Sequence, residues 1–101
     1  MSDVSIVNDV EAGRYRLLLD DVEIGMAEYD AIGDTGVLIK HVEISNAHEG
    51  KGYASRLVRH VLDDLRTREL SVVPICPYTL AFIRKHREYV DLVRDDMRNT
   101  M

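Results

Sequence analysis

The residues of this chain that could do chemistry gather around one short loop. In Glu49-Gly50-Lys51-Gly52-Tyr53-Ala54 two glycines stand two residues apart with a lysine between them. Glycine lets a backbone turn sharply and come close to a ligand. If a helix follows, its first N–H groups have no internal partner and carry partial positive charge, so the loop suits a phosphate or pyrophosphate. Lys51 adds a formal charge. The same residues also fit a plain strand-to-helix connection that uses glycine for geometry, and the spacing alone does not separate the two.

Other candidates flank the loop in sequence. His41 and Glu43 are two residues apart, so on a strand they share a face, about 7 Å from one another. A histidine there could pass a proton, because its pKa lies near neutrality. Cys76 is the single cysteine and cannot form an internal disulfide. Tyr78 follows it and offers a hydroxyl, although an aromatic at that place is as readily a packing residue. Lys85 and His86 are cations that suit a helix C-terminus. No His/Cys/Asp/Glu spacing suggests a structural zinc site, and no metal is expected.

These residues need elements to position them. The first half reads as strands: Val4 to Asn8, then Tyr15-Leu17-Leu19 and Val22-Ile24-Met26 in alternation around an Asp20-Asp21 turn. A second turn at Gly33-Asp34-Thr35-Gly36 leads into Val37 to Ile44, a strand apolar on both faces and therefore central. Strict alternation puts Val37, Ile39, His41 and Glu43 on one of its faces and Leu38, Lys40, Val42 and Ile44 on the other. Ala54, Leu57, Val58, Val61, Leu62 and Leu65 then form one helical stripe, predicting a helix over 52–68. Ser71 to Ile75 reads as a strand, with Pro74 demanding an edge or incomplete pairing. Pro77 suits the first turn of a short helix over 78–86. Residues 94–101 are polar and are expected to fray. Hairpins followed by strand–helix–strand give a mixed, mostly antiparallel α/β sheet with a helix packed on it.

The 101 residues suit one domain, and 46% hydrophobic with 31% charged residues is an ordinary globular balance. With a net charge of −5 and no basic stripe, nucleic acid is not an expected ligand. The acidic balance is compatible with a cationic substrate such as an amine, and equally with simple solubility. No signal peptide and no apolar run near ~20 residues is evident, so a cytoplasmic protein is expected, with no membrane partner.

His48-Glu49-Gly50-Lys51-Gly52-Tyr53-Ala54-Ser55 resembles the acetyl-CoA loop of the GNAT N-acetyltransferases, whose pattern Gln/Arg-x-x-Gly-x-Gly/Ala aligns with Glu49 to Ala54. The likeness continues through Leu57-Val58, Val72-Val73-Pro74-Ile75-Cys76-Pro77-Tyr78 and Ile83-Arg84-Lys85-His86-Arg87-Glu88-Tyr89. It covers residues 15 to 93 and is similar to a branch of short, minimal (YjdJ-like) GNAT proteins with Cys-Pro-Tyr and His-Pro-Glu-Tyr segments in this order. Glu49 departs from the pattern's Gln or Arg, and a carboxylate beside a pyrophosphate is repulsive if it points inward. Arg87 replaces the proline of the last segment.

The resemblance implies a GNAT fold with a long cofactor-loop helix and a short C-terminal helix. It also implies a splay between the fourth and fifth strands that holds the pantetheine arm of acetyl-CoA. Backbone groups of Glu43, Ile44 and Ser45 would bond the arm, and Glu49, Gly50, Lys51, Gly52, Tyr53, Ala54 and Ser55 the phosphates, with Lys85 and His86 as weaker phosphate candidates. Acetyl would pass directly to a primary amine, with Cys76 near the acetyl group as the leading catalytic candidate, a general acid or base or else a covalent nucleophile, Glu43 as base and Tyr78 as acid toward the CoA sulfur. The chain is short for its superfamily, which implies a shallow acceptor site suited to a protein or peptide amine, in a monomer or weak homodimer. The rival expectation is an acyl-CoA-binding or sensor module without catalysis.

Overall fold

The computed structural model describes residues 3–95. Its strands are β1 Val4–Asp9, β2 Arg14–Leu19, β3 Val22–Ile32, β4 Gly36–Ile44 and β5 Ser71–Pro74; its helices are α1 Tyr53–Thr67 and α2 Pro77–Lys85. Two 3-10 segments, Asn46–His48 and Arg87–Leu92, lie where the sequence pattern predicts no element. The sheet order is β1-β2-β3-β4-β5, antiparallel except for the parallel pair β4–β5. Asp20 and Asp21 both take positive φ (49° and 69°), the conformation that a two-residue hairpin turn requires. Of the 94–101 tail, residues 96–101 lie outside the described residues.

The helical stripe of α1 is buried as its spacing predicts. Leu57, Val58, Val61, Leu62 and Leu65 meet Tyr15, Leu17, Ile24, Val37, Ile39 and Val72 from the sheet in one core, which α2 extends with Phe82 and Ile83. Each fully buried leucine contributes roughly 1.5–3 kcal/mol relative to exposure. α1 ends with Glu69 at φ 58°, while the N–H of Leu70 reaches the carbonyl of Leu65 at 2.9 Å and that of Glu69 the carbonyl of Arg66 at 3.1 Å. This is a Schellman closure, with Leu70 folding back onto the core.

One irregularity corrects the strict alternation read for β4. Glu28 pairs with His41 and Tyr29 with Ile39, so Lys40 is an extra residue, a β-bulge on β4. An extra residue shifts every later side chain to the other face. Val37, Ile39, Val42 and Ile44 therefore share the helix-covered side, and their burial follows: Val37, Ile39 and Ile44 are buried and Val42 half-buried, while His41 and Glu43 are exposed. On that outer face, cross-strand neighbours carry mixed charges, with Glu23 bridging Arg16 (2.5 Å) and Arg14 (3.9 Å).

β5 accommodates Pro74 by its position. Val72 turns its carbonyl outward to the N–H of Arg94 at 3.0 Å, in a lone bridge between Val72 and Val93. Two residues on, the nitrogen of Pro74 falls on the same outer edge, beyond that bridge, where no ladder donor is needed.

Candidate acetyl-CoA site

β4 and β5 pair only from Gly36–Ser71 to Ile39–Pro74. The N–H of Cys76 still reaches the carbonyl of Ile39 at 3.2 Å, and then the chain turns into α2. β4 runs on alone through Ile44, bonded to β3 on one side only. The bulge at Lys40 lies at the point of divergence; bulges bend a strand and increase its twist.

The backbone groups on the open side follow from the register. Gly25 lies opposite Ile44, and Ser45 donates its N–H to the carbonyl of Ile24 at 2.7 Å. Alternation then turns the N–H and C=O of Glu43 toward β3 and those of Val42 and Ile44 toward the gap. Of the three residues expected to bond the arm, Ile44 faces the gap, Glu43 faces its β3 neighbour, and Ser45 has its N–H engaged. Val42, two residues before Ile44 and so turned the same way, faces the gap with it.

Beyond Ile44 the chain makes the 3-10 turn Asn46–His48 and enters the glycine loop. Gly50 and Gly52 take φ of 77° and 84°, the left-handed region, and Gly52 is the N-cap of α1 without a side-chain capping bond. A side chain built on either glycine would meet nothing within 4 Å, so glycine is required here by conformation and the space above the loop is open. The first helical bond is Arg56 N–H to Gly52 C=O at 3.1 Å, which leaves the N–H groups of Tyr53, Ala54 and Ser55 without helical partners. Open backbone, unengaged donors and a positive helix end fit a pyrophosphate.

These parts enclose a cleft of about 400 Å³. Val42 and Ile44 form one wall, Glu49, Gly50 and Gly52 the loop end, Tyr53, Ala54 and Ser55 the helix start, and Tyr78 the far side, with His48 beside the loop. His48 stands edge-on to Tyr53 at 6.1 Å, with its Nδ1 3.4 Å from the Ser45 hydroxyl. It is a wall residue that the loop motif does not single out. Lys51 is exposed and is not among the lining residues. Glu43 and Ser45 instead line a shallower hollow of about 320 Å³ on the outer side, with Glu23, Gly25, Met26 and Asn46.

Tyr78, at the second position of α2, is 41% exposed yet partly desolvated, and burial pushes its phenol above the usual tyrosine range. It also borders a hollow with Ser55, Phe82, Lys85 and His86. Lys85 is exposed there, whereas His86 is stacked on Phe82 at 4.2 Å with Arg59 Nη2 3.4 Å from its Nδ1. His41 Nε2 and Glu43 Oε2 lie 3.9 Å apart on the open face, both largely exposed. Cys76 is placed differently from the other candidates. It is 4% exposed, belongs to the core cluster and borders none of the cavities described. Among the described residues no three His, Cys, Asp or Glu side chains stand together as a metal site, and no helix is long and apolar enough to cross a membrane.

A five-stranded mixed sheet with a splayed β4–β5 pair and a glycine loop opening α1 is the GNAT fold. The chain belongs to the GCN5-related N-acetyltransferase family, whose model matches residues 14–92. Among solved structures, a GCN5-like protein from Staphylococcus aureus superposes with a TM-score of 0.71 at 19% identity, covering 93% of this chain and 91% of that one. Ribosomal-protein-S18-alanine N-acetyltransferase from Escherichia coli gives 0.64 at 10% identity, covering 85% and 76%. N-acetylglutamate synthase from Neisseria gonorrhoeae, complexed with coenzyme A and N-acetyl-glutamate, gives 0.59 at 18% identity, covering 82% of this chain and 22% of that one. The sequence matches no curated protein.

Proposed function

We propose that this chain binds acetyl-CoA in the cleft between β4, α1 and α2 and transfers the acetyl group directly to a primary amine. The observation that carries the reading is the departure of β4 from β5 after Ile39 and Pro74, which leads past Val42 and Ile44 to the left-handed glycines and the open start of α1. Bound acetyl-CoA would supply the acetyl group as an activated thioester. Gly50, Gly52 and the N–H groups of Tyr53 to Ser55 hold the phosphate end. The gap-facing N–H and C=O groups of Val42 and Ile44 receive the arm.

Three side chains have been named for the chemistry, and their surroundings distinguish them. Tyr78 keeps its proton through the neutral range, so its hydroxyl is a donor for the departing sulfur. Glu43, with His41 beside it, accepts the proton of an amine that arrives from the open face of the sheet. Cys76 packs in the core and donates its N–H to Ile39, a position that supports a structural role at the point where the strands part.

The acceptor is an amine on a protein or peptide, and the chain falls in the minimal branch of the family that its Cys-Pro-Tyr segment resembles. The support is the short connection between β1 and β2, residues 10–13, and the exposure of Glu23, His41 and Glu43. The burial of Cys76 favours a second reading, an acyl-CoA-binding module without turnover. Amide shifts during titration with acetyl-CoA test the cofactor site: responses at Val42, Ile44 and residues 50–55 support it, and their absence removes it. Product formation on a panel of amines and peptides then separates enzyme from module.

A further inference from the structure

We propose that the free edge of β1 and the flank of α1 beside it form a docking groove for an extended, acidic segment of a partner protein, which adds to the sheet as a new strand. The two edges of the sheet differ. Along β5 the outer side is occupied by the Val72–Val93 bridge and the bond from Arg94 N–H to Val72 C=O, and it carries Pro74. Along β1 no backbone partner stands on the outer side among the described residues. Asp20 donates its N–H to the carbonyl of Asp3 at 2.9 Å, and the register continues through Ser5–Leu18, Val7–Arg16 and Asp9–Arg14. Those residues turn their backbone groups toward β2. Val4, Ile6 and Asn8 alternate with them and turn their N–H and C=O groups outward. Edge strands are commonly blunted by lysine, proline or a bulge. Residues 4–8 carry none of these.

Side chains complete the groove. Val4 and Ile6 pack toward the helix side of the sheet but are only half-buried. With Arg56, Arg59, His60 and Asp63 of α1 they line a hollow of about 340 Å³. None of these residues lines the acetyl-CoA cleft, so the inference does not rest on that reading. A strand added about 4.8 Å outside β1 directs every second side chain to the side where α1 lies. The charge of that wall selects the occupant. Asp63 accepts the Tyr89 hydroxyl at 2.7 Å, while Arg59 donates to the same hydroxyl at 3.1 Å and lies 3.7 Å from Glu88. Arg56 is exposed and makes no ion pair among the described residues. His60, one turn further along α1, is also exposed. On a chain of net charge −5 this wall is locally basic, and an arginine fork takes a carboxylate in a two-point contact. Carboxylates on the inward side chains therefore meet Arg56 and His60, and an apolar residue between them covers Val4 and Ile6. A second copy of this chain is a poorer occupant. Two-fold pairing of β1 with β1 sets the same patch against itself. It would offer Val4, Ile6 and Asn8 to the groove, with no carboxylate among them, and would bring two basic walls together.

Titration of the isotope-labelled chain with a blocked peptide, Thr-Glu-Thr-Val-Thr-Glu-Thr, tests the proposal. Its two glutamates and its valine share one face when extended. Shifts are expected at the amides of Val4, Ile6 and Asn8 and along residues 56–60, with Gly50 and Gly52 unmoved. Arg56→Gln, a change at an exposed position, should weaken binding about tenfold, the scale of a lost charged hydrogen bond. Lysine in place of both glutamates should abolish the response. N-methylation of alternate peptide amides, one set and then the other, should abolish it for at least one set, because it removes ladder donors and leaves the charges in place. No shift at Val4, Ile6 and Asn8, unchanged affinity in Arg56→Gln, equal binding of the lysine peptide, or tolerance of both methylated sets overturns the proposal. So does a concentration-dependent shift of the same amides in the protein alone, which marks a second copy as the occupant. Each of these results leaves the acetyl-CoA reading standing.

Discussion

The N–H of Cys76 is bonded to the carbonyl of Ile39 at 3.2 Å, just past the last register pair of β4 and β5, Ile39 with Pro74. This bond ties the two strands at the apex of the splay. Everything that lines the cleft from β4 lies beyond it.

Cys76→Ala should therefore affect the fold more than the chemistry. It leaves the backbone bond in place and removes one buried sulfur, at a cost of about 1 kcal/mol. Turnover should stay within about twofold. Tyr78→Phe should do the reverse, lowering turnover about 100-fold, the scale of a lost general acid, with acetyl-CoA affinity little changed. Parallel urea unfolding and steady-state kinetics decide between the two residues. A collapse of turnover in Cys76→Ala would return the thiol to the reacting centre.

Gly52→Ala should be costly although nothing stands in the way of the methyl group. At φ 84° the penalty is conformational, about 1–2 kcal/mol. The strain falls on the N-cap of α1, so the amide response of residues 53–55 to acetyl-CoA should weaken as well. Chemical unfolding and the same titration measure both effects.

Glu69→Gly should stabilise the protein by roughly 0.5–1 kcal/mol. Glu69 closes α1 in the left-handed region, where glycine carries no penalty from a β-carbon. Its site lies after the last turn of α1, at the end away from the cleft, so cofactor affinity should not change. A higher urea midpoint with an unchanged slope is the expected reading.

Tyr15 gives the protein an alkaline limit. Burial first, and then its 2.5 Å hydrogen bond to Asp64, push its phenol far above the usual tyrosine range. The folded pKa exceeds the unfolded value near 10, so the stability linked to this proton is fully present below about pH 10 and is lost as pH rises further. Tyr15→Phe should be less stable at pH 8 by about 1 kcal/mol, and its deficit relative to the unaltered chain should narrow as pH passes about 10. A deficit that does not vary with pH would show that the hydroxyl contributes no proton-linked term.

Much of this architecture was written in local pattern. The stripe from Ala54 to Leu65, the alternation of Tyr15, Leu17 and Leu19, the Asp20-Asp21 turn and the glycines before α1 each depend on neighbours close in the chain. The segments around Cys76 and Tyr89 pointed to the family that the comparison of residues 14–92 identifies. The sequence by itself thus determined the five strands, the two α-helices, the mixed sheet and the place of the loop, but not the 3-10 segments Asn46–His48 and Arg87–Leu92.

Tertiary structure decided which groups meet there. The bulge at Lys40 exists only in the pairing of β4 with β3, and a strand apolar on both faces leaves no mark of it in composition. That one extra residue carries Val42 and Ile44 to the cleft and turns Glu43 and His41 to the open face. The burial of Cys76 depends on the core assembled from β4, β5, α1 and α2, and the parting of β4 from β5 depends on pairing between segments more than thirty residues apart. Contacts of that range are set by how whole elements pack together, which local periodicity does not encode.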